Sequence, residues 1–284
     1  MKNNIYFSNK ENFEKIKMNF RAKWASKIHF LADFDRTLTK AYIDWIHTPA
    51  LIWVLREKNI LWDKVTIKEK ELYSKYRPQE ENPNIEINKK KEILNNWWRE
   101  TFELLIKNWL TKNNIKQTIE SWRLIFRDWI YDFLDTTNKY KIPVVIISAT
   151  AFWIYSLEEY FKKYSKNYNN IEFIWNILKW GKKWEMIWYK EPIIHSFNKD
   201  ETLVEDFPEI YNKIKDRKNI ILLWDSLWDH HMSDWFKYNN ILKIWFLNEK
   251  EDELMNEYLE RYDVVITWDS DMSFINEFLN NILT

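Results

Sequence analysis

"KIHFLADFDRTLT", residues 27–39, decides the fold: a short apolar, β-branched run breaks into two aspartates and a turn. The same form recurs along the chain. "IPVVIIS" (142–148), "IEFIW" (171–175), "NIILLWD" (219–225), "ILKIWFL" (241–247) and "DVVIT" (263–267) are continuous apolar runs that end at polar residues. Unbroken apolar runs separated by helical stretches read as parallel strands buried on both faces. "SLEEYFKKYSK" (156–166) and "EDELMNEYLERY" (251–262) are two of the helices between them. The expectation is an α/β fold, a doubly wound and mostly parallel sheet, in which ligands bind outside the carboxyl ends of the strands.

The gap between Asp33 and Ile142 is too long for a plain crossover and is helical in pattern. "PALIWVLREKN", "TIKEKELYSKY", "NKKKEILNNWWRETFELLIKNWLTKN" and "KQTIESWRLIFRD" fill it, with "RPQEENPN" (77–84) expected as an internal loop. Residues 41–127 are therefore read as an inserted helical cap domain, and residues 1–40 and 128–284 as the core.

Composition holds an anomaly. There are 19 tryptophans and 1 glycine in 284 residues, where roughly 20 glycines are usual. An α/β chain needs glycine wherever φ turns positive or backbone must approach a ligand. Many of the tryptophans stand at turn positions, as in "ILLWDSLWDHHMSDW" (221–235). Some bacterial lineages read the codon UGA as glycine and other codes read it as tryptophan. A gene of the first kind translated by the second gives this pattern, and the wealth of Lys, Asn and Ile suits an AT-rich genome.

The remaining bounds are ordinary. Lys plus Arg equals Asp plus Glu at 43 each, which removes any global pull toward nucleic acid polymers or anionic membranes. The absence of cysteine excludes thiolate catalysis and disulfides. No secretory signal or apolar run of membrane-spanning length is evident, so a cytoplasmic protein is expected, a monomer or weak dimer.

Four strand-end features carry chemistry: Asp33 and Asp35, Ser148, Lys199 in "HSFNKDE", and Asp225 with Asp229 in "DSLWD". Singly each has an ordinary explanation, in turns, caps or solvated loops. Brought together, carboxylates about 4 Å apart repel by roughly 4 kcal/mol per pair at an effective dielectric near 20. Such a cluster calls for a cation, and oxygen ligands select a hard one, Mg²⁺. A lysine and a serine hydroxyl beside it suit a phosphoryl group. One aspartate can attack phosphorus and another can move the protons. His195, four residues before Lys199, could shape that pocket. His230 and His231, neighbours that diverge on a helix, read as structural.

These motifs resemble the haloacid dehalogenase superfamily, whose first motif is D-x-D-x-T; "DFDRT" matches it at Asp33, Asp35 and Thr37. "ADFDRTLT", "HSFNKD", "ILLWDSLWDHHMSDW" and "ILKIWFLNEKEDELMNEYLERYDVVI" further resemble the cytosolic pyrimidine 5'-nucleotidase family (type III) across the core. "NNWWRETFELLIKNWLTK" resembles it in the cap. The resemblance implies Asp33 as nucleophile and Asp35 as general acid and base, with Ser148 and Lys199 holding the phosphoryl group. Asp33, Asp225 and the Asp35 carbonyl would ligate Mg²⁺, with Asp229 in its outer shell. Asn96, where the family has an acidic residue, and Trp97 would meet the nucleoside.

The family's fourth motif reads G-D-S-x-G-D with a further D-G. Here tryptophan replaces glycine at 224, 228 and 235, and also at 129, 184, 188 and 245. Trp97, Trp98 and Trp180 align with aromatic residues, so all the others are expected to stand for glycine. As written, Trp224 and Trp228 would crowd the phosphate pocket. The implied activity is a Mg²⁺-dependent 5'-nucleotidase, a phosphoric monoester hydrolase working through an aspartyl-phosphate. Alternatives are a phosphatase for another small phosphomonoester, or an inactive Trp-rich binding protein if the tryptophans are genuine.

Overall fold

The computed structural model describes residues 4–22, 25–48, 54–55, 60–121, 125–150, 168–199, 201–226 and 238–284. In chain order these form β1 (Ile5–Phe7), α1 (Lys10–Arg21), β2 (Ile28–Asp33), β3 (Tyr42–Ile43), β4 (Ile46–His47), α2 (Asp63–Glu81), α3 (Ile87–Lys107), α4 (Lys112–Ser121) and α5 (Ile130–Lys139). There follow β5 (Val144–Ser148), β6 (Ile171–Trp175), β7 (Leu178–Trp180), β8 (Met186–Tyr189), α6 (Glu201–Glu205), α7 (Pro208–Ile214), β9 (Asn219–Trp224), β10 (Asn240–Leu247), α8 (Glu251–Arg261), β11 (Val264–Thr267) and α9 (Ser273–Leu283).

The six apolar runs are the six parallel strands of a seven-stranded sheet ordered β1-β11-β10-β9-β2-β5-β6. Alternation along each strand divides the core. Phe30, Ala32, Val144, Ile146, Ile221, Leu223, Ile244 and Phe246 pack on one face with α1, α5 and α9. Leu31, Val145, Ile147, Ile220, Leu222 and Leu247 pack on the other with α7 and α8. From β2 the chain order runs outward through β5 and β6, while β9, β10 and β11 extend the other way. The carboxyl ends of β2 and β9 thus flank a topological switch point, and Asp33 and Asp225 lie there. The sequence pattern did not show β1, a three-residue antiparallel edge strand too short to display alternation.

Between β2 and β5 the chain leaves the sheet and returns beside its own exit. Lys40 N–H donates to Ile125 O (2.9 Å) and Arg127 N–H to Leu38 O (3.0 Å). The excursion holds the β3–β4 hairpin and helices α2, α3 and α4. Two of its expected details are corrected. The stretch 77–81 is the last turn of α2 and not a loop: Arg77 pairs with Glu80 and Glu81, and Lys90 Nζ caps the Glu80 carbonyl at 2.8 Å. The helix expected over 116–128 ends at Ser121, and Phe126 bridges Thr39 in extended conformation. The helix expected at 156–166 lies outside the described residues, as does most of that at 49–59.

Arg127, fully buried, clamps this crossing. Its guanidinium donates to the carbonyls of Thr37 (2.7 Å), Arg36 and Ser270 and to Asn248 Oδ1 (2.9 Å), and it pairs with Asp269 Oδ1 at 3.0 Å. Its plane lies over Phe246, 3.9 Å from the ring centroid. Asp269 in turn accepts the N–H groups of Ala41 (2.7 Å) and Tyr42 (3.0 Å).

Ten described residues other than glycine have positive φ, and five are tryptophans: Trp45, Trp109, Trp129, Trp184 and Trp268, at φ between 57° and 65°. The single glycine, Gly181, is not among the positive-φ residues. A bulky residue in the left-handed region is a steric outlier. All five side chains lie mostly in solvent, Trp45 97% exposed, so packing does not explain their identity. Trp97 and Trp98, expected to be genuine, lie inside α3, and Trp180 in β7. The expectation at Trp224 needs correction. Its side chain does not enter the phosphate pocket but is fully buried with α7 and α8, because residue 224 shares the parity of Ile220 and Leu222. It stacks on Trp245 at 6.1 Å, and Trp245 lies flat on Tyr262 at 3.8 Å. Trp228 and Trp235 lie outside the described residues.

Two outcomes are expected. Left-handed backbone costs a side-chain-bearing residue about 1–2 kcal/mol, and glycine's extra unfolded-state entropy returns roughly half of that. Trp45→Gly, Trp109→Gly, Trp129→Gly, Trp184→Gly and Trp268→Gly should each stabilise the chain by about 0.5–1 kcal/mol in urea unfolding; a loss at most of them would show that the side chains are wanted. Arg127→Met should cost about 3 kcal/mol or more by the same measurement, because it leaves Asp269 without its buried partner.

Candidate active site

Asp33 ends β2 with its side chain nearly buried, and Oδ1 accepts the Phe34 N–H (2.8 Å) and the Lys199 ammonium (2.7 Å). Lys199 comes from the loop after β8, 166 residues away in sequence, and is itself buried at 8% exposure. Ser148 ends β5, the neighbour of β2, and its Oγ accepts the Thr150 N–H at 3.2 Å. Asp225 follows β9 on the other side, with its backbone carbonyl held by Tyr258 Oη (2.8 Å) and the next carbonyl, Ser226, by Trp245 Nε1 (2.9 Å). Asp35 lies in the turn after β2, half-buried. The structure therefore brings Asp33, Lys199, Ser148 and Asp225 to one end of three adjacent strands. Asp229 lies outside the described residues, as do His230 and His231.

Charge balance at this point is tight. Burial pushes the Asp225 carboxyl up to about 6, and the Asp33 charge adds to the shift, while Arg36, Lys199 and Arg127 oppose it. Arg36, in left-handed conformation at φ 60°, brings Nε to 3.7 Å from Asp225 Oδ2, and Thr37 Oγ1 lies 3.5 Å from Asp225 Oδ1. Two crowded carboxylates, one so reluctant to ionise, fit a hard divalent cation, whose charge would relieve both. The Asp33 and Asp225 carboxylates would offer such a cation oxygen donors. Among the described residues no three metal-ligating side chains cluster.

The loop carrying Lys199 is heavily tied. Asn198 Oδ1 accepts the His195 N–H (2.8 Å), Asn198 Nδ2 donates to Ile193 O (2.7 Å), and the Phe197 N–H donates to His195 Nδ1 (3.2 Å). His195 thus shapes the turn that presents the lysine. Phe197 inserts between α2 and α3, among Leu72, Tyr76, Ile93 and Leu94. Asn96 and Trp97 lie on α3. Arg99 Nη1 approaches Asn96 Oδ1 at 3.4 Å, and Trp97 stacks on Tyr76 at 5.8 Å and meets Tyr73 edge-on at 5.9 Å. The Trp97 ring is thereby committed largely to helix packing.

Residues 36–283 match the pyrimidine 5'-nucleotidase (UMPH-1) family. The chain belongs to that family. The 7-methylguanosine phosphate-specific 5'-nucleotidase of Gallus gallus is 30% identical over 259 residues, covering 91% of this chain and 89% of that one. The Homo sapiens protein of the same name is 27% identical over 258 residues, covering 90% and 85%. Cytosolic 5'-nucleotidase IIIB, solved with cytidine bound, superposes with a TM-score of 0.86 at 24% identity, covering 99% of this chain and 94% of that one. A substrate-bound phosphoserine phosphatase shares the fold at a TM-score of 0.51 and 16% identity, covering 89% and 97%. The pyrimidine 5'-nucleotidase family and the haloacid dehalogenase-like fold, both expected from the motifs, are thus established, and with them a phosphomonoester hydrolase of the 5'-nucleotidase class. No helix among the described residues is long and apolar enough to cross a membrane.

Sequence reasoning missed Asn176, a buried amide directly after β6, and Arg127. Asn176 ends an apolar run just as Ser148 and Asp225 do, so the same signal could have found it. Arg127 gave none, since a lone arginine after a helical stretch reads as solvated.

Two buried histidines make stability depend on pH. Burial pushes both His29 and His195 down to about 3; nearby Lys91 and Lys199 add to this for His195, while a bond from His29 Nδ1 to Arg217 O (2.8 Å) partly opposes it. Both stay neutral in the folded chain while their unfolded counterparts protonate near pH 6.5. Stability is therefore complete above about 6.5 and falls as pH drops toward 3, by up to about 2 kcal/mol per histidine at pH 5. Urea unfolding at pH 7 and 5 should show this loss, and His29→Gln with His195→Gln should flatten it. An equal loss in the double variant would place the dependence elsewhere.

Proposed function

We propose that the chain is a Mg²⁺-dependent 5'-nucleotidase that releases phosphate from nucleoside 5'-monophosphates through an aspartyl-phosphate at Asp33. The observation that carries this is the buried Lys199–Asp33 contact, 2.7 Å, at the sheet's switch point. The ammonium holds the Asp33 carboxylate in place, and a positive N–H donor group at that point suits the oxygens of a phosphoryl group. Ser148, on the adjoining strand, supplies a hydroxyl to the same group.

Asp33 attacks phosphorus as the ester P–O bond breaks, and Asp35 gives a proton to the leaving 5' oxygen. Asp35 then takes a proton from water, which attacks the phosphorus of the aspartyl-phosphate and restores Asp33. Asp33, Asp225 and the Asp35 carbonyl, with Asp229 in the outer shell, would hold Mg²⁺, whose charge would offset that on the transferring oxygens. Lys199 does the same from the protein side.

Residues 41–127 are read as a cap over this site, in which Asn96 would meet the nucleoside, while Trp97, its ring already stacked on Tyr76, would offer it only an edge. Asn96 keeps hydrogen-bonding capacity without charge. The relatives named for 7-methylguanosine phosphate and the cytidine-bound neighbour support a nucleotide as substrate. A cytoplasmic monomer or weak dimer suits such an enzyme.

The test is a paired assay. The chain as written, and a form with glycine for every tryptophan except Trp97, Trp98 and Trp180, are supplied with Mg²⁺ and UMP, CMP, AMP, 7-methylguanosine monophosphate or an aryl phosphate. Phosphate release from nucleotides is expected, stronger in the glycine form, and Asp33→Asn should lower it at least about a thousandfold. Preference for the aryl phosphate over every nucleotide would move the reading to another phosphomonoester, and silence in both forms would leave an inactive binding protein.

A further inference from the structure

Asn176 is 2% exposed and sits one residue beyond β6, where Trp175 pairs in register with Ser148. Both donors of its side-chain amide are used, and so is its oxygen. Oδ1 accepts the Ile194 N–H at 2.7 Å, and Nδ2 donates to Ile194 O at 2.9 Å and to Ala149 O at 2.6 Å. The acceptor fixes the orientation of the amide, since only oxygen can receive that N–H. One side of the group therefore grips the loop that ends in Lys199, on both polar atoms of a single residue. The other grips the carbonyl directly after Ser148.

Each loop also carries bonds of its own, and the Lys199 loop is further fastened to the helices at Ser196 and Phe197. His195, Asn198 and Phe197 bond to one another, and Ser148 Oγ bonds to Thr150 N–H. The bonds to Asn176 are a direct tie from one loop to the other through a third element. A phosphoryl group gripped by a lysine from one loop and a serine from the other needs their separation fixed to within a fraction of an ångström.

We propose that Asn176 is a positioning residue that sets the spacing of Ser148 and Lys199 and so determines phosphoryl affinity. This rests on the nucleotidase reading of those two residues. Only a side chain with one acceptor and two donors on a planar head fills the role. Aspartate has the same shape and lacks both donors, and at this site its charge would face two carbonyl oxygens.

The test measures inorganic phosphate binding by calorimetry with Mg²⁺, on the full chain in its tryptophan and glycine forms, beside nucleotide turnover. Asn176→Asp should weaken phosphate binding by about tenfold or more and lower kcat. Asn176→Ser, smaller and uncharged, serves if the first variant does not fold. Asn170→Asp is the control: Asn170 Nδ2 donates to Ile142 O at 2.7 Å at the opposite end of the same strands, so its loss costs stability but not phosphate affinity. Equal phosphate affinity in the parent and the Asn176 variants overturns the proposal, and so does an equal loss in the Asn170 control. A parent that binds phosphate but hydrolyses no nucleotide removes the nucleotidase reading, while the contrast between the Asn176 and Asn170 variants still decides the spacing role. A parent that binds no phosphate in either form overturns both.

Discussion

Arg127 directs its guanidinium at the carbonyls of Arg36, Thr37 and Ser270, at Asn248 and at the Asp269 carboxylate, with Phe246 beneath it. Those acceptors belong to the turn after Asp33, to the loops after β10 and β11, and, through Asp269, to the strand leading into the helical excursion. A buried guanidinium with every direction satisfied fixes several loops at once, and no apolar contact could define their angles as closely. Burial draws its pKa down to about 10 against the pull of Asp269 and Asp225, which still leaves it charged at neutral pH. The turn carrying Asp33 and Asp35 therefore has its rigid base at a residue with no part in the chemistry.

Above that base the charges are arranged in opposition. Asp33 and Asp225 crowd one another at the switch point, and Lys199 and Arg36 stand against them. Lys199 is buried, where the lower effective dielectric strengthens its influence, while the Arg36 side chain is 37% exposed and acts more weakly. Lys199 is drawn to Asp33 from a loop fastened by Asn176, Asn198 and His195, so its ammonium arrives on a stiff support although its own stem is flexible. The cost of holding two carboxylates in a dry site is met by neighbours that also suit phosphate.

Much of this was legible in the residues. Each buried strand announced itself as an apolar run, because a parallel sheet covered on both faces leaves no alternation to confuse the pattern. Asp33, Ser148 and Asp225 were visible because a charged or hydroxyl residue after such a run must emerge at the sheet's end. Asn176 obeys the same rule and was hidden only by the tryptophan before it. The end of α2 was misplaced because Pro78 signals a break, whereas Arg77, Glu80, Glu81 and Lys90 together hold the turn. Arg127 was illegible, since its role depends on acceptors from three distant segments. Composition pointed to misplaced tryptophans, and the backbone gave that a physical form: Trp45, Trp109, Trp129, Trp184 and Trp268 bend in the sense glycine tolerates, while Trp97, Trp98 and Trp180 do not. Trp224 and Trp245 are different, lying in extended strands with their rings absorbed by a core that closes around them.

Phe197 joins two parts of the molecule that its neighbours would keep separate. Its ring is rooted between α2 and α3, while the residue two places on is the lysine against Asp33. Ser196 adds a second tie, its Oγ donating to Glu80 Oε1 at 3.0 Å. A tilt of the helix pair relative to the sheet must either withdraw the ring from its socket or carry the ammonium away from the carboxylate. The two events share a lever two residues long. The pose of the helix pair is thus felt directly at the Lys199–Asp33 contact.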